Sequence, residues 1–435
     1  MKDYADTCIL GAGLTGLSAA YHLGDEDGLV IEQQEQVGGN CRTLEQNGFY
    51  FDLGGHIFYP KEAAIRELVR ELLGANCNEA DRQAWIYSHD TYTRYPFQAN
   101  LYGLPADIIR DCLLGLHEAE LRIAREGEVT PKDFLDFIYR TFGTGIARHF
   151  MIDFNRKHWK YPLDEITLDW MGKFIPRPGF SQALEGSLQP AEKCIGQNAR
   201  FLYPDHGGIQ AVCDGFKTRT KMPFELHARV TALDLEKRSI EINNRETVGY
   251  KRVLSTLPLP VLVACTRDVP PGVQDACARL KWNSEYVVSV AVNKPELTAR
   301  HRIYCSDPEL IFHKLAFFSS YAPRMAPEGQ CAVSCEVIFS ERAPADRGTL
   351  EKRVIKDLRK MDILKPQDEI LFTHVAHMPY AYVIYDRERA DAVAAIRSFY
   401  EAHDVHCWGR YAEWAYQNME QNIRTGRDVA LQLKK

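Results

Sequence analysis

Cys8-Ile-Leu-Gly-Ala-Gly-Leu-Thr-Gly16 is the stretch on which the reading of this chain turns. It follows a short strand-like run and opens a helix-like one, Leu17-Ser-Ala-Ala-Tyr-His-Leu23. That context turns a bare G-x-G-x-x-G into a dinucleotide fingerprint. Gly11 is expected to make the tight turn, Gly13 to let the backbone approach a pyrophosphate, and Gly16 to let helix and strand pack closely. The helix N-terminus then offers free N–H groups and a positive dipole end to phosphates. Leu29-Val-Ile-Glu32 reads as the second strand, with the Glu32 carboxylate placed to accept hydrogen bonds from a ribose diol.

The neighbouring glycines extend this reading. Gly38-Gly39 and Arg42 follow the second strand, and flexible backbone beside a guanidinium suits a second grip on a pyrophosphate. Phe51-Asp-Leu-Gly-Gly-His-Ile-Phe58 supplies a strand ending in Gly54, Gly55 and His56. Such glycines let a backbone lie flat against a ring system. His56 reads either as a core histidine or as a residue at a ring face. Taken together, Gly11, Gly13, Gly16, Glu32, Gly39, Arg42 and Gly54-Gly55-His56 resemble the amine oxidase and protoporphyrinogen oxidase superfamily, which carries FAD on a Rossmann-like fold.

Farther along, Lys61 to Gly74 has helical periodicity and a glycine stop, and Ala84 to Arg94 reads as a hairpin turning at His89-Asp90. Pro105 to about Glu126 and Pro131 to about Met151 read as helices opened by proline. Three motifs narrow the resemblance: Tyr95-Pro-Phe-Gln98, Asn155-Arg-Lys-His-Trp-Lys-Tyr-Pro-Leu-Asp-Glu165 and Gly409-Arg-Tyr-Ala-Glu-Trp-Ala-Tyr416. They are similar to segments of UDP-galactopyranose mutase and its bacterial relatives.

The fold class this implies is α/β. Residues 1–60, 195–265 and 400–435 would form a discontinuous FAD-binding domain, 61–194 a mainly helical inserted domain, and 266–399 an antiparallel β-sheet substrate domain. Strands are expected at Tyr286 to Asn293, Lys314 to Ser319, Cys331 to Phe339 and Glu369 to Val375, and helices at Leu350 to Lys360 and Ala390 to Tyr400. After Val253 to Pro260, two prolines force the chain out of its sheet.

The resemblance also implies roles. Leu14, Thr15, Gln33, Asn40, Val230, Gly409, Arg410, Asn418 and Met419 would join the glycines and Glu32 around FAD. His56, Lys314, Arg177, Tyr382 and Tyr416 would serve catalysis, and Tyr95, Phe97, Asn155, Trp159, Lys173 and Tyr304 would line the substrate. Members of that family interconvert pyranose and furanose nucleotide sugars through N5 of reduced FAD, with NADPH or NADH as candidate reductants. Two arginines of the family's diphosphate clamp fall on Lys314 and on Lys173 with Arg177 nearby, and Arg302 stands where the family has a tryptophan. Lysine keeps the charge but loses the bidentate fork. An oxidoreductase moving a hydride from a small molecule to the flavin fits the glycine motifs equally well, and a catalytically idle FAD-binding partner is the third reading.

Composition sets outer bounds. A chain of 435 residues that is 45% hydrophobic can bury a large core in two or three domains. A net charge of −6 gives no electrostatic case for nucleic acid. The twelve cysteines include no C-x-x-C pair and read as reduced thiols, mostly buried, in a cytoplasmic protein rather than as metal ligands. The polar start leads straight into the first strand, which leaves no room for a signal peptide, and no apolar run approaches a membrane span. The implied partner is a small molecule, a nucleotide sugar above all; oligomerisation stays open.

Overall fold

A computed structural model describes residues 2–24, 27–171, 175–191 and 200–434. Its first sheet is organised on the strand Tyr4–Leu10, whose residues from Thr7 onward are buried on both faces, as a central parallel strand requires. It pairs in parallel with Leu29–Ile31 on one side and with Glu246–Ser255 on the other. Phe224–Glu225 and Val405–Cys407 add further parallel neighbours, while Val230–Asp234 and Ser239–Ile242 form an antiparallel edge. The helix Leu14–Leu23 packs against the last helix, Met419–Leu433, so the two ends of the chain complete one layer. Thr15 Oγ1 donates to Asn422 Oδ1 at 2.8 Å, and Ser18 Oγ donates to the Ile423 carbonyl at 2.7 Å.

The second sheet has seven strands in the order Ile370–Val383, Trp282–Val292, Cys331–Phe339, Lys314–Ala316, Arg302–Cys305, Ala84–Ser88 and Thr91–Arg94. All its pairings are antiparallel except that of Arg302–Cys305 with Ala84–Ser88. The hairpin does turn at His89-Asp90, both at positive φ, yet it joins this sheet and not the helical insert. The backbone N–H and C=O groups of Ala84–Ser88 are paired on both edges, by Thr91–Arg94 and by Arg302–Cys305, which helices could not supply. Trp282–Val292 and Ile370–Val383 are both longer than the alternating runs suggest, because their buried residues continue past the regular pattern.

The helices Ala106–Glu126, Phe134–Ile146 and Ile152–Trp159 make the body of the insert. Asp133 caps the second, accepting from Asp136 N–H, and Gly143 at φ 71° lets it lie against Gly115; a Cβ there would sit 1.8 Å from the Gly115 carbonyl oxygen. Pro258 does not merely end a strand: it caps the helix Leu259–Cys265. Cysteines among the described residues are free thiols, and no helix among them is long and apolar enough to cross a membrane.

Candidate active site

A cavity of about 1280 Å³ lies outside the carboxyl ends of Tyr4–Leu10, Leu29–Ile31 and Glu246–Ser255, between them and one face of the second sheet. Pockets for drug-sized ligands span roughly 300–1,000 Å³, so this one has room for a dinucleotide and a further small molecule. Ligands of open α/β sheets bind at this edge because strand ends and helix N-termini converge there.

The fingerprint loop forms one end. Gly11 has φ +92°, and a Cβ at Gly16 would stand 2.1 Å from the Gly11 carbonyl oxygen, so strand, turn and helix close only with glycine at both places. At Gly13 an added Cβ meets no protein atom within 4 Å. That glycine opens onto the cavity, leaving backbone for a ligand to approach. Gly13, Leu14 and Thr15 line the cavity, whereas Gly16 serves the packing behind it. Glu32 is 6% exposed, and its two oxygens accept from Ala12 N–H at 2.8 Å and Gln34 N–H at 2.9 Å. It therefore ties the loop to the second strand as well as facing the cavity, beside Gln33.

The glycine pair after this strand is pinned to the fingerprint, with Gly38 N–H donating to the Ala12 carbonyl at 2.7 Å. Arg42 Nε donates to the Gly39 carbonyl and Nη1 to Gln34 Oε1, which fixes its guanidinium along the cavity wall. Asn40 Nδ2 donates to the Tyr411 hydroxyl at 2.7 Å, linking this turn to the chain before the last helix. There Gly409 and Arg410 line the wall, Asn418 and Gln421 form a reciprocal cap, and Met419 begins the helix. Val230 lines the same end.

The inner end is built by the second sheet. Gly54, Gly55 and His56 reach it from the first half of the chain, with Gly55 N–H donating to Glu336 Oε1 at 2.8 Å. Lys314 and Glu336 are direct cross-strand partners and form a buried ion pair. Arg302 donates to the Gly55 carbonyl oxygen. Burial raises the Glu336 pKa, but Lys314, His313 and Arg302 outweigh it and hold the carboxylate well below its usual range. For Lys314 burial opposes the charge, yet Glu336 and Tyr382 raise its pKa. Arg302, equally buried, is held charged by Tyr304 and Glu336. Glu285 behaves oppositely: burial and then the Glu336 charge push its carboxyl well above the usual range. Burial lowers His56 to about 4, and its Nδ1 has no partner among the described residues.

Arg410 closes this end. Its Nη2 donates to the Ala381 carbonyl at 2.8 Å and its Nη1 to the Gln417 carbonyl at 2.9 Å. The guanidinium carbon lies 5.2 Å from the Tyr382 ring centroid and 5.1 Å from that of Tyr416, and these two rings stack 5.9 Å apart.

Several sequence-designated residues lie behind this wall. Tyr304 receives the Arg82 guanidinium at 2.7 Å, and its ring lies 5.2 Å from Tyr95. Burial alone would raise the Tyr304 pKa, but Arg82, Arg302 and Lys314 bring it down to about 8. Phe97 stacks on Phe150 at 4.7 Å, Asn155 Nδ2 donates to the Met151 carbonyl at 2.7 Å, and Trp159 is fully buried against Trp170. Tyr95, Phe97, Asn155, Trp159 and Tyr304 thus support the cavity and do not line it. Arg177 departs from its assigned place more sharply. It is exposed, lies 4.8 Å over the Phe137 ring and is not part of the cavity wall. Lys173 lies outside the described residues. Residues that the sequence reading missed are Glu285, Glu336 and Arg82, together with the inward position of Arg302. A signal existed: Glu336 is the one charge in the apolar run Cys331 to Phe339, and a buried strand carries such a charge only with a partner.

Residues 14–432 match the family model described as flavin containing amine oxidoreductase. The chain belongs to this family. Amine oxidase [flavin-containing] B of Sus scrofa is 23% identical over 380 residues, covering 82% of this chain and 70% of that protein. L-amino acid oxidase Cdc18 of Crotalus durissus cumanensis is 37% identical over 84 residues, which span 18% of this chain and 17% of that one. Among solved structures, reduced UDP-galactopyranose mutase superposes with a TM-score of 0.92 at 24% identity, over 99% of this chain and 94% of that one. A CLA-producing fatty acid isomerase from P. acnes gives 0.68 at 14% identity over 99% of both chains.

The protein is a flavin enzyme of the amine oxidase superfamily, and the residues present fit FAD. The open face at Gly13 leaves backbone for a ligand to approach, and His56, whose Nδ1 has no partner among the described residues, lines the cavity together with Met419 at the start of the last helix. Glu32, Arg42 and the Gly38-Gly39 turn would hold the nucleotide end. Gly54-Gly55-His56 and the Met419 helix would hold the ring end.

Proposed function

We propose that this flavoprotein is an isomerase of nucleotide sugars that interconverts pyranose and furanose forms. The observation that carries the reading is the charge balance at the inner end of the cavity. Arg302 and Lys314 face a single ionised carboxylate, Glu336, and Arg410, packed on the Tyr382 and Tyr416 rings, lines the same end of the cavity. An excess of fixed cations and tyrosine hydroxyls in a buried cavity suits a leaving diphosphate, which needs charge neutralisation without solvent.

Reduced flavin, when bound, supplies a nucleophilic nitrogen and an electron pair for a sugar whose ring is open. The chain's own contribution is positioning and charge. Arg410 is held by two carbonyls and two aromatic faces, so its guanidinium is preorganised and needs no reorientation toward an anion. Lys314 shares its charge with Glu336, which makes it a weaker anion ligand than an unpaired lysine. Arg302 and Arg410 consequently carry most of the anion binding in this reading, in place of the Lys173–Arg177 clamp drawn from the sequence. Near-complete superposition with a reduced UDP-galactopyranose mutase supports the same choice.

The second reading, hydride transfer from a small molecule to the flavin, is favoured by one specific feature: the Lys314–Glu336 ion pair removes a charge that a diphosphate would use. The oxidases similar in sequence fit it too. Anaerobic incubation of the dithionite-reduced protein with a panel of nucleotide sugars separates the two. A product of unchanged mass, formed only by reduced protein, is the expected result. A product lighter by two hydrogens, formed by oxidised protein, sinks the isomerase reading.

A further inference from the structure

In the strand Trp282–Val292, Asn283 and Glu285 point the same way, as alternate residues do. Asn283 fixes the frame: its Nδ2 donates to the carbonyls of His158 at 3.1 Å and Trp159 at 3.0 Å, and its Oδ1 accepts from Tyr382 N–H at 3.0 Å. Glu285, one pleat on, is 2% exposed and lines the cavity.

The register explains its company. Val287 faces Glu336 and Glu285 faces Ile338, so Glu285 and Glu336 are diagonal neighbours, while Glu336 and Lys314 are directly opposed on the next pair. A row Glu285, Glu336, Lys314 therefore crosses three strands and sets the two carboxyls beside each other on one face. Two neighbouring carboxyls in a buried site do not both ionise readily, so one of them keeps a proton. Lys314 and Gly55 N–H both hold Glu336 as the anion, which leaves the proton on Glu285. Glu285 Oε1 has no hydrogen-bond partner among the described residues. Arg410, Tyr382 and Tyr411 are the other charged or titratable groups around it. Lys314 and Arg410 would stabilise the carboxylate that remains after proton loss.

We propose that Glu285 is the general acid–base of this cavity, a role that rests on the isomerase reading above. As the bond between anomeric carbon and ring oxygen breaks, its electron pair stays on oxygen, and the Glu285 proton converts that oxygen to a hydroxyl. A second sugar hydroxyl then loses its proton to the Glu285 carboxylate as its oxygen bonds the anomeric carbon. The diphosphate, which left the anomeric carbon with its bonding pair, bonds that carbon again once the new ring has closed; proton count and carboxyl are restored, and the sugar is neither oxidised nor reduced. The electron pair needed while the ring is open is the flavin contribution already named.

Glu285→Gln tests this, because the amide keeps the shape of the side chain but carries no transferable proton. Two readouts are taken on the flavin-loaded protein: the infrared band of a protonated carboxyl at pH 7, and anaerobic turnover of UDP-galactopyranose by reduced protein. The wild type shows the band and E285Q lacks it; turnover falls about 100-fold or more, within the usual range for a lost general acid, with flavin content unchanged. Glu285→Asp recovers part of the rate. Turnover in E285Q within threefold of wild type overturns the proposal while the isomerase reading stands, and so does a band that survives the substitution. A wild type that isomerises no nucleotide sugar overturns the isomerase reading and the ring-oxygen role together, and loss of the band in E285Q then still locates the proton.

Discussion

Replacing Glu336 by glutamine removes the anion that Lys314 and Arg302 share, without changing the shape of the side chain. Lys314 Nζ is ion-paired to it across adjacent strands, Gly55 N–H donates to it, and both members of the ion pair are buried. Removing one partner of a buried pair costs about 3–5 kcal/mol, because the survivor is left charged in a medium that solvates it poorly. Glu285, the diagonal neighbour, can give up its proton and replace part of the lost charge, so the lower figure applies. Unfolding entropy of about 2.1 cal/mol/K per residue, taken over 435 residues, is roughly 0.9 kcal/mol/K, so 3 kcal/mol lowers Tm by about 3 °C. Circular dichroism melts of the flavin-loaded protein at pH 7 measure this. Adding Lys314→Met removes the stranded cation, and the double variant should regain most of the loss, as apolar replacements of buried pairs do. The sign of the pH dependence follows from the depressed pKa. The Glu336 contribution is complete above the unfolded value of about 4.3 and is lost as pH falls through the lower folded value, so the gap between wild type and E336Q narrows in acid. A single variant as stable as wild type, or a double variant that loses the sum of two independent effects, would refute the reasoning.

Gly13→Ala should fold with stability within about 0.5 kcal/mol of wild type, because its Cβ meets no protein atom, yet bind FAD at least about tenfold more weakly, a loss of about 1.4 kcal/mol. Gly16→Ala, whose Cβ strikes the Gly11 carbonyl, should lose stability and flavin together; equal behaviour of the two variants in melts and fluorescence titrations would contradict the assignment of their roles. Arg177→Ala should leave turnover within threefold of wild type, since Arg177 lies on Phe137 outside the cavity, and a larger loss in steady-state assays would return it to the site. Burial lowers His56 to about 4, His158 to about 3 and His301 to about 4. Each is neutral in the fold, so its contribution is complete above about 6.5 and is lost as pH falls toward the folded value. Melts should show a steeper stability loss between pH 6.5 and 4 in wild type than in His56→Gln.

The glycine-lined end of the cavity was legible because its determinants are local. A turn that admits only glycine, a helix that starts directly after it and a carboxylate at the next strand end sit within 32 residues, and each constrains its neighbours without help from the rest of the fold. Helices with a proline or glycine at an end, such as Ala106–Glu126 and Ala63–Leu73, were legible for the same reason. Catalytic surroundings were not. Lys314 could be singled out as a charge in an apolar strand, but its partner Glu336 is fixed only by the register of two antiparallel strands. Glu285 lies just before the strand expected from Tyr286 and Arg302 was singled out only as a departure from the family pattern, and only the placement of the second sheet over the first shows that both line the cavity. Tyr95, Phe97, Asn155 and Trp159 were found as a motif, and their place behind the wall depends on how the insert packs. Arg177 shows the limit from the other side: charge conservation in a sequence pattern does not say which ring a long side chain will settle on.

Flavin absorbance during anaerobic exposure to UDP-galactopyranose tests the central claim most directly. An isomerase account predicts that the oxidised protein keeps its spectrum and makes no product, while the reduced protein stays reduced and accumulates a furanose nucleotide sugar of the same mass. Bleaching of the oxidised flavin, with a product two hydrogens lighter, would contradict it and establish hydride transfer as the chemistry of this cavity.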